Sequence, residues 1–414
     1  MLALKAISFS LASQALSSGT TFVLSMYLLS VMSPEGFGLY NLAFAAILFL
    51  AGIGNALFLT QMVVLTPRKK VDEQKEYARR ILSLLVISCF FCSVIGGALG
   101  FFAFLLEFKV WGFLTGAIAI ATAGYVLKDF YIRYAYINER EIWVFLINFS
   151  NAIFLALFFT VLALLNFSCG VSEVLVVFAA SQFCAAYLGK FLTEITPLWK
   201  IKKIKEDFKE AWAGGKWDSL TNCVYFLRTQ SHTLVVGALI GSAAVAKVNA
   251  ARIFVSPVTI LIPGLSQVFL PRLSKISAQG TLVQVEKLTI KLCILLALLS
   301  LAYAALLFFV YEALMSLFSL KESYQGIGWL VVFWMVYVFF MAINSGLFLA
   351  VKALNRFKYQ AAVNSVSAAA SVIFSFCFCS FYMEAGAVLG IVFAEVVALS
   401  ALLYMFRKSD LKSK

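Results

Sequence analysis

A chain of 414 residues with 63% hydrophobic and 13% charged residues cannot coat a soluble core of that size, because soluble domains carry about a quarter of their residues charged. Lipid is the solvent that tolerates such a composition, and a mean hydropathy of +0.95 agrees with it. The 33 Lys and Arg exceed the 20 Asp and Glu, for a net charge of +13. In a soluble chain that excess would suggest nucleic acid, but in a membrane chain the first question is which loops carry it.

The first apolar run, from Ile7 to about Val31, is too long for the core of a cleavable signal and long enough to span a bilayer. Further spans are expected over residues 39–65, 81–106, 110–133, 142–165 and 174–198, then over 217–240, 248–270, 289–310, 327–351, 361–381 and 386–406. The chain is thus expected to be an all-α integral membrane protein of about twelve transmembrane helices. Residues 1–199 form one six-helix bundle, 200–216 a linker and 217–414 a second bundle. With an even number of spans, both termini fall on one side. Placing them in the cytoplasm puts nearly every Lys and Arg inside and leaves Lys109, Lys247, Arg252 and Lys321 outside. That bias explains the charge without nucleic acid. The linker Lys200–Lys216 mixes lysines with Glu206, Asp207 and Glu210, as a cytoplasmic amphipathic hinge resting on anionic membrane lipids would.

The two halves echo one another weakly. Gly36-Phe37-Gly38-Leu39-Tyr40-Asn41 follows the first span and Ala244-Val245-Ala246-Lys247-Val248-Asn249 the seventh. Pro67-Arg68 ends the second span and Pro271-Arg272 the eighth. This common order supports a parallel repeat of the kind that builds a transport site between two bundles.

Catalysis finds little material. One histidine gives neither a metal cluster nor a His-dependent triad, and no metal site is expected. No phosphate-binding loop of the G-x-x-x-x-G-K-[ST] type is present, and Gly36-x-Gly38 reads as the chemistry of a short external turn. The Cys89-x-x-Cys92 pair lies in an apolar run, Cys169 is the only cysteine expected in an external loop, and no disulfide or cofactor is expected. The external loops are all short, whereas a glycan polymerase or ligase would need a large one.

Polarity inside the spans is more informative. On the seventh, Asp218, Thr221, Tyr225, Arg228 and His232 follow at spacings of three and four and share a helix face. Arg228 falls near the bilayer midplane, where an arginine costs several kcal/mol unless it meets water or a partner. The first span carries Ser10, Gln14, Ser17, Thr21 and Ser25 in a matching stripe, which suits either helix packing or the lining of a cavity. Asp129 and Arg133 form an i,i+4 pair beside Lys128, and Lys190 with Glu194 reads the same way. Glu395 sits deep among Val392, Phe393, Val396 and Leu399, as a proton site or as one half of an ion pair. Pro257 and Pro263-Gly264 are expected to kink the eighth span.

The segment Met32-Ser33-Pro34-Glu35-Gly36-Phe37-Gly38-Leu39-Tyr40 resembles the turn after the first helix of Wzx-type lipid-linked oligosaccharide flippases. So do Gly241, Val248-Asn249-Ala250-Ala251, Gln267 and Phe269-Leu270-Pro271-Arg272-Leu273-Ser274. These flippases form the polysaccharide-transporter branch of the MOP superfamily, which also contains the multidrug exporters. The resemblance implies a MATE-like V of two six-helix bundles. It implies flipping of undecaprenyl-pyrophosphate-linked oligosaccharide across a bacterial inner membrane for O-antigen or capsule assembly, with the pathway's polymerase and chain-length regulator as partners. A cationic cavity would be supplied by Arg228 and His232, with Arg133, Lys128 and Lys190 below. Tyr225, Thr221, Gln14, Ser17 and Thr21 would meet the sugars, and a proton or sodium gradient, through Glu395 or His232, would drive transport. Two rivals stand beside it: a cation-coupled multidrug or small-solute exporter of the same fold, and a membrane glycan polymerase or ligase.

Overall fold

The computed structural model describes residues 2–66, 69–164, 170–279, 282–317, 324, 326–354 and 356–407. Expectations resting on Pro67-Arg68, Cys169 and Lys321 lie outside them. Every long element is helical: α1 (Leu2–Val31), α2 (Pro34–Gly54), a π-helical turn (Asn55–Leu59), α3 (Thr60–Leu65), α4 (Val71–Leu105), α5 (Lys109–Ile137), α6 (Glu141–Leu164), α7 (Val171–Thr193), α8 (Ile201–Leu239), α9 (Ser242–Gln279), α10 (Leu282–Leu317), α11 (Gly328–Ala353) and α12 (Phe357–Arg407). Each expected span overlaps helix, although 39–65 takes in α2, the π-helical turn and α3, and 174–198 runs past the end of α7 at Thr193. α12 holds the last two, because Tyr382 and Met383 leave helical geometry, Met383 with φ of 52°. The protein is an all-helical, multi-pass membrane protein. Eight helical stretches are long and apolar enough to cross a bilayer on composition alone. α8 is not among them, since the Asn, Arg, Gln and His side chains of residues 222–232 dilute its apolar ones. The seven described cysteines are free.

By packing, the chain divides into two compact units: Met1–Thr21 with Ala43–Cys223, and Phe22–Leu42 with Val224–Lys414. The boundaries therefore cut through α1, α2 and α8, whereas a division by whole helices would fall at 199 and 217.

In the first unit, Tyr77, Ile81, Leu82 and Leu85 of α4 pack with Phe130, Tyr131 and Tyr134 of α5, Ala185 of α7 and Ile204 of α8. The residues expected as an amphipathic linker form the first turns of α8. Lys, Glu and Ala favour that conformation, and the polar end of α4 holds the segment in place. The buried guanidinium of Arg80 pairs with the buried carboxylate of Asp207, and Glu76 bridges Arg80 and Lys200. The backbone before α8 is also tied down: Leu198 donates to Ser83 Oγ at 2.8 Å, and Arg79 Nε to the Thr196 carbonyl at 3.0 Å. Glycine is required at 215, where a Cβ would stand 2.9 Å from Leu57 Cα in the π turn.

In the second unit, Gly36 and Gly38 are not turn residues. They lie in the first turns of α2, and a Cβ on Gly38 would collide with the Ser242 carbonyl. Pro257 does not end α9. The Ile253 carbonyl that it deprives of a donor accepts the Ser256 hydroxyl at 2.6 Å. The two arms of α12 fold back on each other through small residues. Ser367 and Ser375 donate at 3.0 Å to the carbonyls of Ala394 and Ala387, and a Cβ on Gly386 or Gly390 would strike the opposite backbone. Ser371, between those serines, shares a hydrogen bond with Ser231 and donates to the Arg228 carbonyl at 3.1 Å. This serine ladder sets the middle of α8 against the α12 hairpin.

Candidate functional site

That docking brings Arg228 to the one deeply buried carboxylate of the hairpin. Arg228 Nη2 lies 2.8 Å from both oxygens of Glu395, and Nη1 donates to Asn364 Oδ1 at 2.6 Å. Asn344 of α11 donates to Glu395 Oε2 at 2.7 Å and to its carbonyl at 2.9 Å. Arg228 is 8% exposed and Glu395 2%. Of the two roles the sequence left open for Glu395, the geometry is that of the ion pair. Arg228 is correspondingly neutralised inside its own unit, and its guanidinium lies over the Phe348 ring.

The expected stripe on α8 spans several environments. Thr221 is exposed, belongs to the first unit and spends its hydroxyl on the Trp217 carbonyl at 3.1 Å. Tyr225 is 58% exposed, and His232 is fully buried with its ring edge-on to Trp334. His232 Nε2 lies 3.1 Å from the Thr233 hydroxyl, and Nδ1 is buried without a partner.

The first unit holds the remaining expected residues. Gln14 donates to Ser18 at 3.4 Å and Thr21 to the Ser17 carbonyl at 3.1 Å, so these polar groups are partly satisfied by their own helix. Arg133 pairs with Asp129 at 3.0 Å as its spacing implies. Lys190 and Glu194 do not pair. Glu194 takes the left-handed conformation that ends α7, φ 53°, which carries its side chain off the i+4 position. Lys190 lies exposed beside the Tyr187 ring instead, and Lys128 is buried beside Tyr125.

The residue that sequence reasoning missed is Arg252. The charge bias sets it on the outer side although it falls within the expected span 248–270; the structure holds it well inside α9 and half-buried. Its Nη1 donates to Gln230 Oε1 at a long 3.4 Å, and its guanidinium covers Trp334, whose indole donates to the Val248 carbonyl at 3.0 Å. Among the described residues no carboxylate approaches Arg252 within 4.0 Å. Tyr337 lies within electrostatic reach of Arg228, Arg252 and Glu395 alike. The polar centre of the second unit thus holds two guanidiniums against one carboxylate, and the uncompensated charge is that of Arg252. The available signal was its place in the expected span 248–270, one helical turn past Val248 and Asn249.

The architecture is that of the MOP-superfamily transporters. An inward-facing multidrug resistance MATE family transporter of that superfamily matches with a TM-score of 0.73 at 16% identity, over 96% of this chain and 95% of its own. A MOP-superfamily transporter from Pyrococcus furiosus, described as having a binding pocket of reversed polarity, matches with a TM-score of 0.64 at 16% identity, over 99% and 97%. A eukaryotic MATE transporter matches with a TM-score of 0.67 at 14% identity, over 99% and 96%. At these identities the likeness is one of fold. No curated protein sequence matches the chain. Residues 28–325 match the family described as polysaccharide biosynthesis protein, and the chain belongs to that family.

Proposed function

We propose that the protein is a flippase that carries an oligosaccharide linked to undecaprenyl pyrophosphate from the cytoplasmic to the periplasmic leaflet of a bacterial inner membrane, with both termini cytoplasmic. Family membership supports a cargo of polysaccharide assembly, and the fold supports alternating access. The observation that carries the reading is the unpaired guanidinium of Arg252 beside the neutralised Arg228–Glu395 pair. A cation held inside a membrane protein without an acid calls for water or an anion. A pyrophosphate is the expensive part of such a lipid to move, and a planar fork of N–H donors suits it. Gln230 and Trp334 hold that fork in place while the polyprenyl tail stays in lipid. Glu395, the deeply buried acid of the second unit, is engaged by Arg228, and the half-buried Asp129 by Arg133, which favours anionic over cationic cargo and weighs against a drug exporter.

The reading is tested in proteoliposomes loaded with lipid-linked oligosaccharide in one leaflet. The purified protein should move the pyrophosphate-linked glycan into protection from an external glycosidase. It should leave a neutral glycolipid bearing the same glycan behind. No transfer above empty vesicles, with the protein shown to be folded, would refute it.

A further inference from the structure

The first turns of α8 present three stripes of different chemistry. One is buried: Ile204, Asp207, Ala211 and Gly215 recur at three and four residues and face α4 and the π turn, with Asp207 held by Arg80. A second is exposed and apolar: Ile201, Phe208 and Trp212, at spacings of seven and four, are 71%, 39% and 47% exposed. The third, beside it, is basic: Lys202, Lys205, Lys209 and Lys216 recur at three, four and seven, are exposed, and have no carboxylate within 4.0 Å among the described residues. The neighbouring acids Glu210 and Glu76 are taken up by Lys69 and by Lys200 with Arg80, which leaves the exposed Glu206 as the one acid of these turns set against four lysines.

A merely solvated helix needs no apolar stripe, and a lipid-facing one needs no lysines. An apolar flank beside a basic one is the arrangement of a helix lying in the membrane interface, with aromatics at the level of the headgroups and lysines at their phosphates. The Arg80–Asp207 pair fixes which stripe turns inward and so aims the other two. We propose that residues 201–216 form a docking platform for anionic phospholipid headgroups, with Lys202, Lys205, Lys209 and Lys216 reading the charge and Ile201, Phe208 and Trp212 entering the interface.

The test titrates the full-length protein in detergent with phosphatidylglycerol and, separately, phosphatidylcholine, reading bound lipid by native mass spectrometry. The parent should prefer phosphatidylglycerol about tenfold or more, since each lysine near an anionic surface adds appreciably to binding. The variant with Lys202, Lys205, Lys209 and Lys216 all changed to Gln, which keeps helix propensity and touches no buried stripe, should lose that preference. The F208S/W212S variant should bind both lipids more weakly while keeping the preference. Equal preference in the parent and the four-Gln variant would overturn the proposal, as it would if the lysines were only solvated or served an acidic soluble protein.

Discussion

Arg228 and Glu395, 167 residues apart in the chain, meet with both carboxylate oxygens 2.8 Å from one guanidinium nitrogen. The contact joins α8 to the returning arm of the α12 hairpin, with both residues buried. Removing one member of such a buried pair typically costs about 3–5 kcal/mol, because the other charge is left uncompensated, while replacing both by apolar groups of similar volume is close to neutral.

Arg228→Ala and Glu395→Ala should therefore each lower the melting temperature in detergent markedly, and Arg228→Met with Glu395→Leu together should recover most of the loss. Thermal unfolding of the four proteins decides it. A double variant as unstable as the sum of the singles would show that the two residues do not act as a pair.

The α12 hairpin depends on backbone contact at Gly386 and Gly390. Gly390→Val would force the arms apart and cost on the order of 1–3 kcal/mol as an overpacked contact, while Ala398→Val, further along the same arm, serves as a control for added volume in a packed core. The folded yield of each variant, measured by fluorescence-detected size exclusion, should fall much further for the glycine. Equal yields would mean that the arms have room to adjust.

The clamp at the start of α8 gives a local prediction. Asp207→Ala leaves Arg80 buried without its acid and should free residues 194–212 to proteases in the purified protein, with the rest of the digestion pattern unchanged. Unaltered cleavage would show that Ile204 and the Leu198–Ser83 bonds suffice to hold the segment.

The distribution of basic residues predicts orientation. In a cysteine-free background, a cysteine at Lys205 should resist an impermeant thiol reagent in intact cells and one at Leu106 should react. Labelling at 205 from outside would invert the topology.

Much of the fold was legible in the sequence because bilayer thickness imposes a length on every apolar run; even the break in α12 fell between the two expected spans, at Tyr382 and Met383. Partners were not legible. The spacing along α8 marked Arg228 as costly in lipid, but nothing local shows that its charge is taken up by Glu395, since a serine ladder on another helix creates that meeting. Arg252 lies only four residues into the expected span 248–270, so a count of charges by side sets it with the external residues, whereas α9 begins earlier, at Ser242, and takes it well into the helix. The pairing of Lys190 with Glu194 failed on backbone conformation, since i+4 spacing has meaning only while the helix continues. The segment from Ile201 to Lys216 has the composition of a linker, and only its buried stripe reveals a helix with an inner face.

If the anionic part of the cargo is held by the guanidinium of Arg252, which has no acid partner in the polar centre of the second unit, Arg252 carries the function and Arg228 the fold. The direct measurement is the rate of lipid-linked oligosaccharide transfer in proteoliposomes by Arg252→Ala and Arg252→Lys, each shown to melt as the parent does. Loss of charge-assisted hydrogen bonds to the pyrophosphate should slow the alanine variant about ten- to hundredfold, with lysine retaining part of the rate because it keeps the charge and loses the fork. Transfer by Arg252→Ala at the parent's rate would contradict the assignment of the anion to this residue.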